Sequence, residues 1–556
     1  MDLKRTLLLT GLLVAGYFMV LQWDQDYSKS AVPPTATQPF SQPSGAPEDN
    51  SVPDVASSTS AEIPAETLSG GPGETQRMVR VSTDTMQLVI DPRGGDIVHA
   101  SLSGFPREKG SKEPFVLLEN APGRRVFTAA SGLVGPAGPE KAGQPRPVYT
   151  VEKTSYAMGE NGQLEVDLHL QSGELGITKR FTFFRGKHSV GVSYIVDNGS
   201  SAPWQGRFYG QLKRDSSVDP SQELSNTSGM HTYLGGAVRT QQKQYEKIPF
   251  DEFPDYDGSG SGLNETVKGG YASIVQHYFV SAWVPDQSQN NIYRTTESGD
   301  THILTVIQQP LTVAPHARGT LGATLYIGPK NQKELARLAE GLDLTIDYGI
   351  LWWFAKPLFL LLRFLHSVVG NWGWSIVVLT LLVKSLFYPL SAASYRSMAK
   401  MRKVAPKMQS LKERHGDDRQ ALSQAMIKLY KEEKVNPVGG CLPTLIQMPV
   451  FIALYWVLME SVELRQAPWL GWIKDLSQMD SYFILPLVMG ASMFAQQLLS
   501  PAPPDPTQAR VMKMMPIVFT FFFLWFPSGL VLYWVTNNLL SIAQQWYVTR
   551  KIEAGG

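Results

Sequence analysis

The sequence predicts a membrane α-helical bundle that carries one large all-β domain outside the bilayer. Three observations lead there. Leu-, Phe-, Trp- and Met-rich sequence is confined to residues 1–23 and 346–548, while 24–345 has the makeup of an ordinary soluble protein. The soluble stretch consists of short alternating runs cut by Gly, Asn and Asp, the pattern of antiparallel strands. The apolar part holds runs of roughly 16–21 residues, near the length that crosses a hydrocarbon core of ~30 Å.

Composition narrows the function classes. At 556 residues the chain is too long for one domain. A net charge of +1 gives no global basic field for nucleic acid. The single cysteine, Cys441, excludes disulfides within the chain and any Cys-based metal cluster, and the nine His show no HxxxH or HExxH spacing. No catalytic set, metal or cofactor is expected.

Met1–Trp23 opens with Lys4 and Arg5 and continues as the apolar run Thr6–Leu21. A basic start before an apolar core is a signal peptide or a signal anchor. With no A-x-A site close behind and no lipoprotein cysteine, an uncleaved anchor with a cytoplasmic N-terminus is expected. Residues 24–74 are a Pro/Ser-rich tether, with eight prolines between Pro33 and Pro72 and few large apolar residues to offset ordering entropy.

Residues 75–345 form the β domain. Thr85–Ile90 precedes Asp91-Pro92-Arg93-Gly94-Gly95, and Ile177–Phe184 precedes Arg185-Gly186-Lys187. Val190–Val196 before Asp197-Asn198-Gly199 and His302–Ile307 before Pro310 continue the series, which predicts a sandwich or barrel. His277, Tyr278 and Trp283, with the acidic loop Asp251–Asp257, could line a sugar pocket; equally, the aromatics are core and the acids a solvated loop. A polar helix over 329–343 returns the chain to the membrane.

Residues 346–366 are apolar enough to pass as a span. Were they to cross, the next span would place loop 391–440 outside, yet that loop holds eleven Lys and Arg against five acids. The positive-inside rule forbids this, so an interfacial amphipathic helix is expected, with Lys356 and Arg363 on one face. Loop 391–440 itself reads as a helical hairpin, Tyr395–Arg414 and Asp417–Lys434, with Asp417 or Asp418 as N-cap. Its net +6 surface is either a topology determinant and lipid-facing patch or a contact for ribosomal RNA and nascent chains. Arg396, Lys400, Arg402, Lys403 and Lys407 are the candidate contacts.

The expected spans of the core, residues 367–548, are Gly370–Leu390, Leu442–Val462, Tyr482–Leu499, Val511–Phe526 and Ser528–Ala543. With the first anchor they make six, and 549–556 is a short cytoplasmic tail. Arg510, Lys513, Arg550 and Lys551 then all face the cytoplasm. The late spans are short, and a short bundle thins the bilayer or draws water inward.

One charge stands inside this apolar set. Lys384 lies in Gly370–Leu390, where a cation costs several kcal/mol unless solvated or paired. Thr380 is one turn before it on the same face. Thr444 and Gln447 are three apart on the third span; Tyr533 with Asn537, and Trp534 with Asn538, are i,i+4 pairs on the sixth, followed by Ser541 and Gln544. Taken singly, such groups glue helices together, and Lys384 can snorkel to the interface. Together they describe a wet cavity confined to the inner half. A solute transporter would need access from both sides, and neither a repeat nor an intramembrane carboxylate supports one. A membrane-anchored carbohydrate-binding or mutarotase-like protein would need only a single anchor.

The segments Gly370–Met401, Tyr430–Leu458, Ser461–Trp469 and Phe521–Ile542 resemble the YidC/Oxa1/Alb3 membrane protein insertases, most closely their Gram-negative bacterial branch. The resemblance implies a bacterial inner-membrane insertase and chaperone, acting alone or with SecYEG and SecDF. It implies clients that are nascent membrane proteins, contact with ribosomes and lipids, and no small-molecule substrate. It also implies a periplasmic β-supersandwich similar to sugar mutarotases but without known catalysis. In the family a hydrophilic groove carries a positive residue at the position of Lys384, usually Arg, an important threonine at Thr380, and an aromatic, usually Tyr, at Trp534. The tail after Arg550 is only KIEAGG, which leaves ribosome contact to the hairpin and the short tail.

Overall fold

The computed structural model describes residues 78–141, 143–223, 232–254, 262–415, 418–433, 442–499 and 506–554. The expected anchor Met1–Trp23, the tether 24–74, Cys441 and much of the acidic loop after Asp251 lie outside these. The chain divides into two compact units between Ile346 and Asp347.

The first unit is all-β, as the alternation predicts, and is built from an eleven-stranded and a nine-stranded sheet. Nearly every pairing is antiparallel; Val79–Ser82 beside Ser155–Ala157 is parallel. The expected strands are present: Thr85–Ile90 is observed as Met86–Asp91, the same length shifted by one residue, and His302–Ile307 as Thr301–Ile307. Ile177–Phe184 is observed as Leu175–Phe184 and Val190–Val196 as Ser189–Asn198, because pairing continues to Asn198↔Leu175 beyond the last apolar side chain. Ser189–Asn198 alternates half-buried and buried along its whole length, the period-2 signature of a strand with one face on the core.

The two sheets meet through aromatic side chains. Trp283 of the nine-stranded sheet lies over Gly210 of the other, where a Cβ would strike its indole, and its Nε1 donates to Gln211 O at 3.0 Å. Phe279 stacks on Phe115 with centroids 4.4 Å apart. His277, Tyr278 and Trp283 are therefore core, and the sugar-pocket alternative finds no support in their placement.

A charged cluster is buried at the same junction. Arg146 pairs with Asp96 and with Glu140, the latter at 3.1 Å, and Tyr209 donates to Glu140. Lys179, fully buried, donates to Gly94 O at 2.9 Å and Ser131 O at 3.1 Å. The glycines at 94 and 95 are required here: both have φ near +70°, and a Cβ would run into the Arg146 guanidinium or the Lys179 side chain. Burial pushes the Lys179 ammonium down to about 7 and pushes the Glu140 carboxyl up.

The second unit is helical. After Gln332–Leu338 (α1) of the first unit come Trp352–Val369 (α2), Trp372–Leu386 (α3), Tyr388–Arg414 (α4), Arg419–Glu432 (α5), Leu442–Glu460 (α6), Ile484–Leu498 (α7), Pro506–Phe522 (α8) and Ser528–Ala554 (α9). Helix α9 is the central post and packs against α3, α4, α6 and α7. Its start is pinned by the loop before α7: Ser528 Oγ donates to Asp475 O and Gln478 O, each at 2.8 Å. Asp480 caps α7, accepting from the Leu485 amide at 2.7 Å.

The helix ends differ from the expected spans in instructive ways. The span Gly370–Leu390 stops at Leu386 and turns by 67° into α4, which starts seven residues before the expected Tyr395. Pro389 sits in the first turn of α4 and cannot donate to Ser385, so the ladder breaks although the apolar run continues. Lys384 consequently lies in the last turn of its helix. The fifth span begins at Pro506 and tightens to a 3₁₀ turn at Phe523–Trp525; the sixth runs on from Ala543 to Ala554. Among the described residues, Gly349–Val369 is the one unbroken helix long and apolar enough to cross a membrane by length and composition. It is the segment that the loop charges argue should lie on the surface.

Helices α4 and α5 form the expected hairpin around Val404, Met408 and Leu429, and the cap of α5 is Asp418, which accepts from the Gln420 and Ala421 amides at 3.0 Å. Arg396, Lys400, Lys403 and Lys407 recur at helical spacing and are exposed; Lys407 pairs with Glu433 at 2.6 Å. Arg402 is on the same helix.

Candidate functional site

The polar residues of α6 and α9 meet around a cavity of about 340 Å³. Four helices wall it. From α6 come Gln447, Met448 and Phe451; from α7, Met493, Gln496 and Gln497; from α8, Met512, Met515 and Pro516. Helix α9 supplies Tyr533, Trp534, Asn537, Asn538 and Ser541, which the 3.6-residue period places on one side.

Lys384 reaches this wall from α3. Only 3% exposed, it donates from Nζ to Ser541 Oγ at 2.6 Å and to Gln447 Oε1 at 3.3 Å, both cavity-lining groups. It does not snorkel away from the bundle. Ser541 in turn donates to Asn537 O at 2.7 Å, so the lysine is tied to the α9 backbone through one hydroxyl. Among the described residues no carboxylate pairs with Lys384.

The other expected residues divide. Gln447, Tyr533, Trp534, Asn537 and Asn538 line the cavity. Asn538 also serves packing, since its Nδ2 donates to Ser492 Oγ on α7 at 3.1 Å. Thr380 is fully buried and gives its hydroxyl to Ile376 O of its own helix at 2.6 Å, a turn away from Lys384 and outside the cavity wall. Thr444 lies on the first turn of α6. Trp534 sits in an aromatic collar, edge-on to Phe451 at 4.7 Å and near Phe523 at 5.3 Å.

Several members were missed by sequence reasoning. Gln496-Gln497 had a signal: two amides inside the apolar run Ile484–Leu498. The four methionines had none, because an apolar residue facing a cavity and one facing a neighbouring helix look the same in sequence. Several polar atoms here are buried without a hydrogen-bond partner among the described residues: Gln447 Nε2, Trp534 Nε1, Asn537 Oδ1 and Gln497 Oε1. Such a set is built to hydrate or to bind, since an unmet buried polar group costs roughly 1–3 kcal/mol.

Two family models match the chain. Residues 78–361 match the YidC periplasmic domain, and residues 364–555 match the 60Kd inner membrane protein family. The chain is 51% identical over 563 residues to the membrane protein insertase YidC of Pseudomonas putida (strain GB-1), covering all of this chain and 99% of that one. It is 52% identical over 568 residues to the same-named protein of Stutzerimonas stutzeri (strain A1501), with the same coverage. This chain belongs to the YidC family of membrane protein insertases. A solved active YidC insertase with its first transmembrane domain resolved aligns at a TM-score of 0.37 and 19% identity, over 85% of this chain and 93% of that one. The relatives are named membrane protein insertases, a non-enzymatic family.

Proposed function

We propose that this chain inserts integral membrane proteins into the bacterial inner membrane through a hydrophilic groove open to the cytoplasm. The observation that carries the reading is the placement of Lys384, buried among hydroxyl and amide groups at a cavity edge with no carboxylate partner among the described residues. A cation so placed attracts the acidic residues of a polar client segment, and the orphaned amides replace the water that segment loses. The client's apolar span slides along the lipid-facing side, and its transfer into lipid supplies the drive, at about 25 cal/mol per Å² buried. A transmembrane potential adds ~2.3 kcal/mol per charge per 100 mV for acidic segments moving outward.

The same reading assigns the surroundings. Both termini are cytoplasmic and the β unit periplasmic. Helix α2 lies at the outer interface: it buries Ala355, Leu358, Leu362 and Leu365 while exposing Trp353, Leu360, Phe364 and Val368 to lipid. The exposed basic stripe Arg396, Lys400, Lys403 and Lys407, with Arg402, faces ribosomes and nascent chains as they arrive. SecYEG and SecDF are the proposed assembly partners when the protein acts beside the translocon. Thr380 positions the α3 backbone beneath Lys384.

The test is reconstitution of the purified protein in liposomes, following insertion of a single-span client with an acidic outer tail. Lys384→Ala and Lys384→Glu are expected to slow it, the charge reversal more strongly. Wild-type insertion by both variants would show that the electrostatic role is wrong.

A further inference from the structure

One bond orients a donor that is left open in the cavity. Lys384 takes the amide oxygen of Gln447, so the NH₂ end of that amide is turned away from the lysine and finds no partner among the described residues. Trp534 Nε1 is buried in the same state. An ammonium, an amide NH₂ and an indole N–H are donors only; Gln447 and Trp534 line the space, and Lys384 stands behind the lining groups Gln447 and Ser541. At other points the lining offers bare acceptors, Asn537 Oδ1 and Gln497 Oε1. The α6 and α8 walls carry Met448 and Met515, both substantially exposed, and α8 continues outward as the exposed apolar surface of Ile517, Val518 and Phe521.

We propose that between clients this groove holds one phospholipid headgroup. Its phosphate sits against Lys384, Gln447 and Trp534; its ammonium or hydroxyl groups meet Asn537 and Gln497; an acyl chain lies along the flexible methionine wall. The inference rests on reading the cavity as the client path, and it makes the lipid a placeholder that an acidic client segment displaces. A lipid satisfies both the donors and the acceptors while its tail remains in a medium matching the outer surface of α8. A free phosphate answers only the donors and has no use for the methionines.

The experiment uses the full-length protein in vesicles of phosphatidylethanolamine and phosphatidylglycerol, doped with phosphatidylethanolamine carrying a diazirine next to the headgroup. Illumination and peptide mapping should place label on the cavity segments around Met448 and Gln497. Lys384→Met should lower that label about tenfold, the loss of a charge-assisted contact. Trp534→Phe, which keeps the ring and removes the N–H, should lower it several-fold, and label on the outer residue Phe521 should stay constant in both. Cavity label unchanged in Lys384→Met, or label on the outer surface alone, overturns the proposal. Label abolished by excess inorganic phosphate assigns the seat to a free anion and also overturns it. Insertion is measured in the same vesicles. Lys384-dependent insertion without cavity label removes the lipid and leaves the groove, whereas cavity label with Lys384-independent insertion does the reverse.

Discussion

Lys179→Met in the full-length protein tests the buried charge cluster of the β unit. The substitution keeps most of the volume and removes the ammonium, leaving Gly94 O and Ser131 O without that donor and Arg146 alone with Asp96 and Glu140. With its ammonium pushed down to about 7, what the substitution removes in this pH range is a buried donor, and leaving Gly94 O without it costs about 1–3 kcal/mol. Hydrogen exchange at the amides of Leu175–Phe184 should therefore accelerate roughly fivefold to a hundredfold, up to the limit set by the unit's global stability. The pH dependence sharpens the test. Burial lowers the folded Lys179 to about 7 from an ordinary 10.5, so between those values the unfolded chain holds a proton that the folded one has released. Wild-type stability relative to the variant then rises with pH through that window, by at most ~1.4 kcal/mol per unit, and is flat below it. Glu140, pushed up by burial, gives a slope of the opposite sign and is present in both the wild type and the variant. A variant-to-wild-type exchange-rate ratio that stays constant or falls between pH 7 and 9 would refute the reasoning.

Other outcomes follow from the same contacts. Ser541→Ala removes the 2.6 Å acceptor of Lys384 with the loss of a single oxygen and should slow insertion of the acidic-tail client about tenfold, while Ser541→Thr restores it; equal rates for Ala and wild type would remove Ser541 as a positioning residue. Trp283→Ala opens the junction over Gly210 and should cost about 3–5 kcal/mol, read as loss of amide protection in both sheets. Asp418→Ala uncaps α5 and should cost about 1 kcal/mol, seen as faster exchange confined to the first turn after Asp418, with insertion followed in parallel.

Much of the β unit was legible because its two signals are local. A strand such as Ser189–Asn198 announces itself by alternation, and the Asp91-Pro92-Arg93-Gly94-Gly95 turn by residues that tolerate its backbone. The ionic cluster was not legible, since Asp96, Glu140, Arg146 and Lys179 come from separate turns and strands and carry no shared spacing. In the helical unit, hydropathy located the apolar runs and missed their ends. It ran through Pro389, where a missing N–H breaks the helix regardless of how apolar the next residues are.

By itself the sequence determined the division into an apolar and a soluble part, the period of the strands, the charge asymmetry of loop 391–440, and the presence of one lysine in an apolar helix with polar stripes on two others. Only the tertiary structure decided what that lysine touches. Its partners Gln447 and Ser541 lie 63 and 157 positions away, and Thr380, its neighbour along the helix, turns out to bond its own backbone. The physical reason is that helical periodicity states which residues share a face, whereas the rotation of each helix against its neighbours is set by packing. That rotation brings Lys384 against one amide of α6 and one hydroxyl of α9, both in the cavity wall.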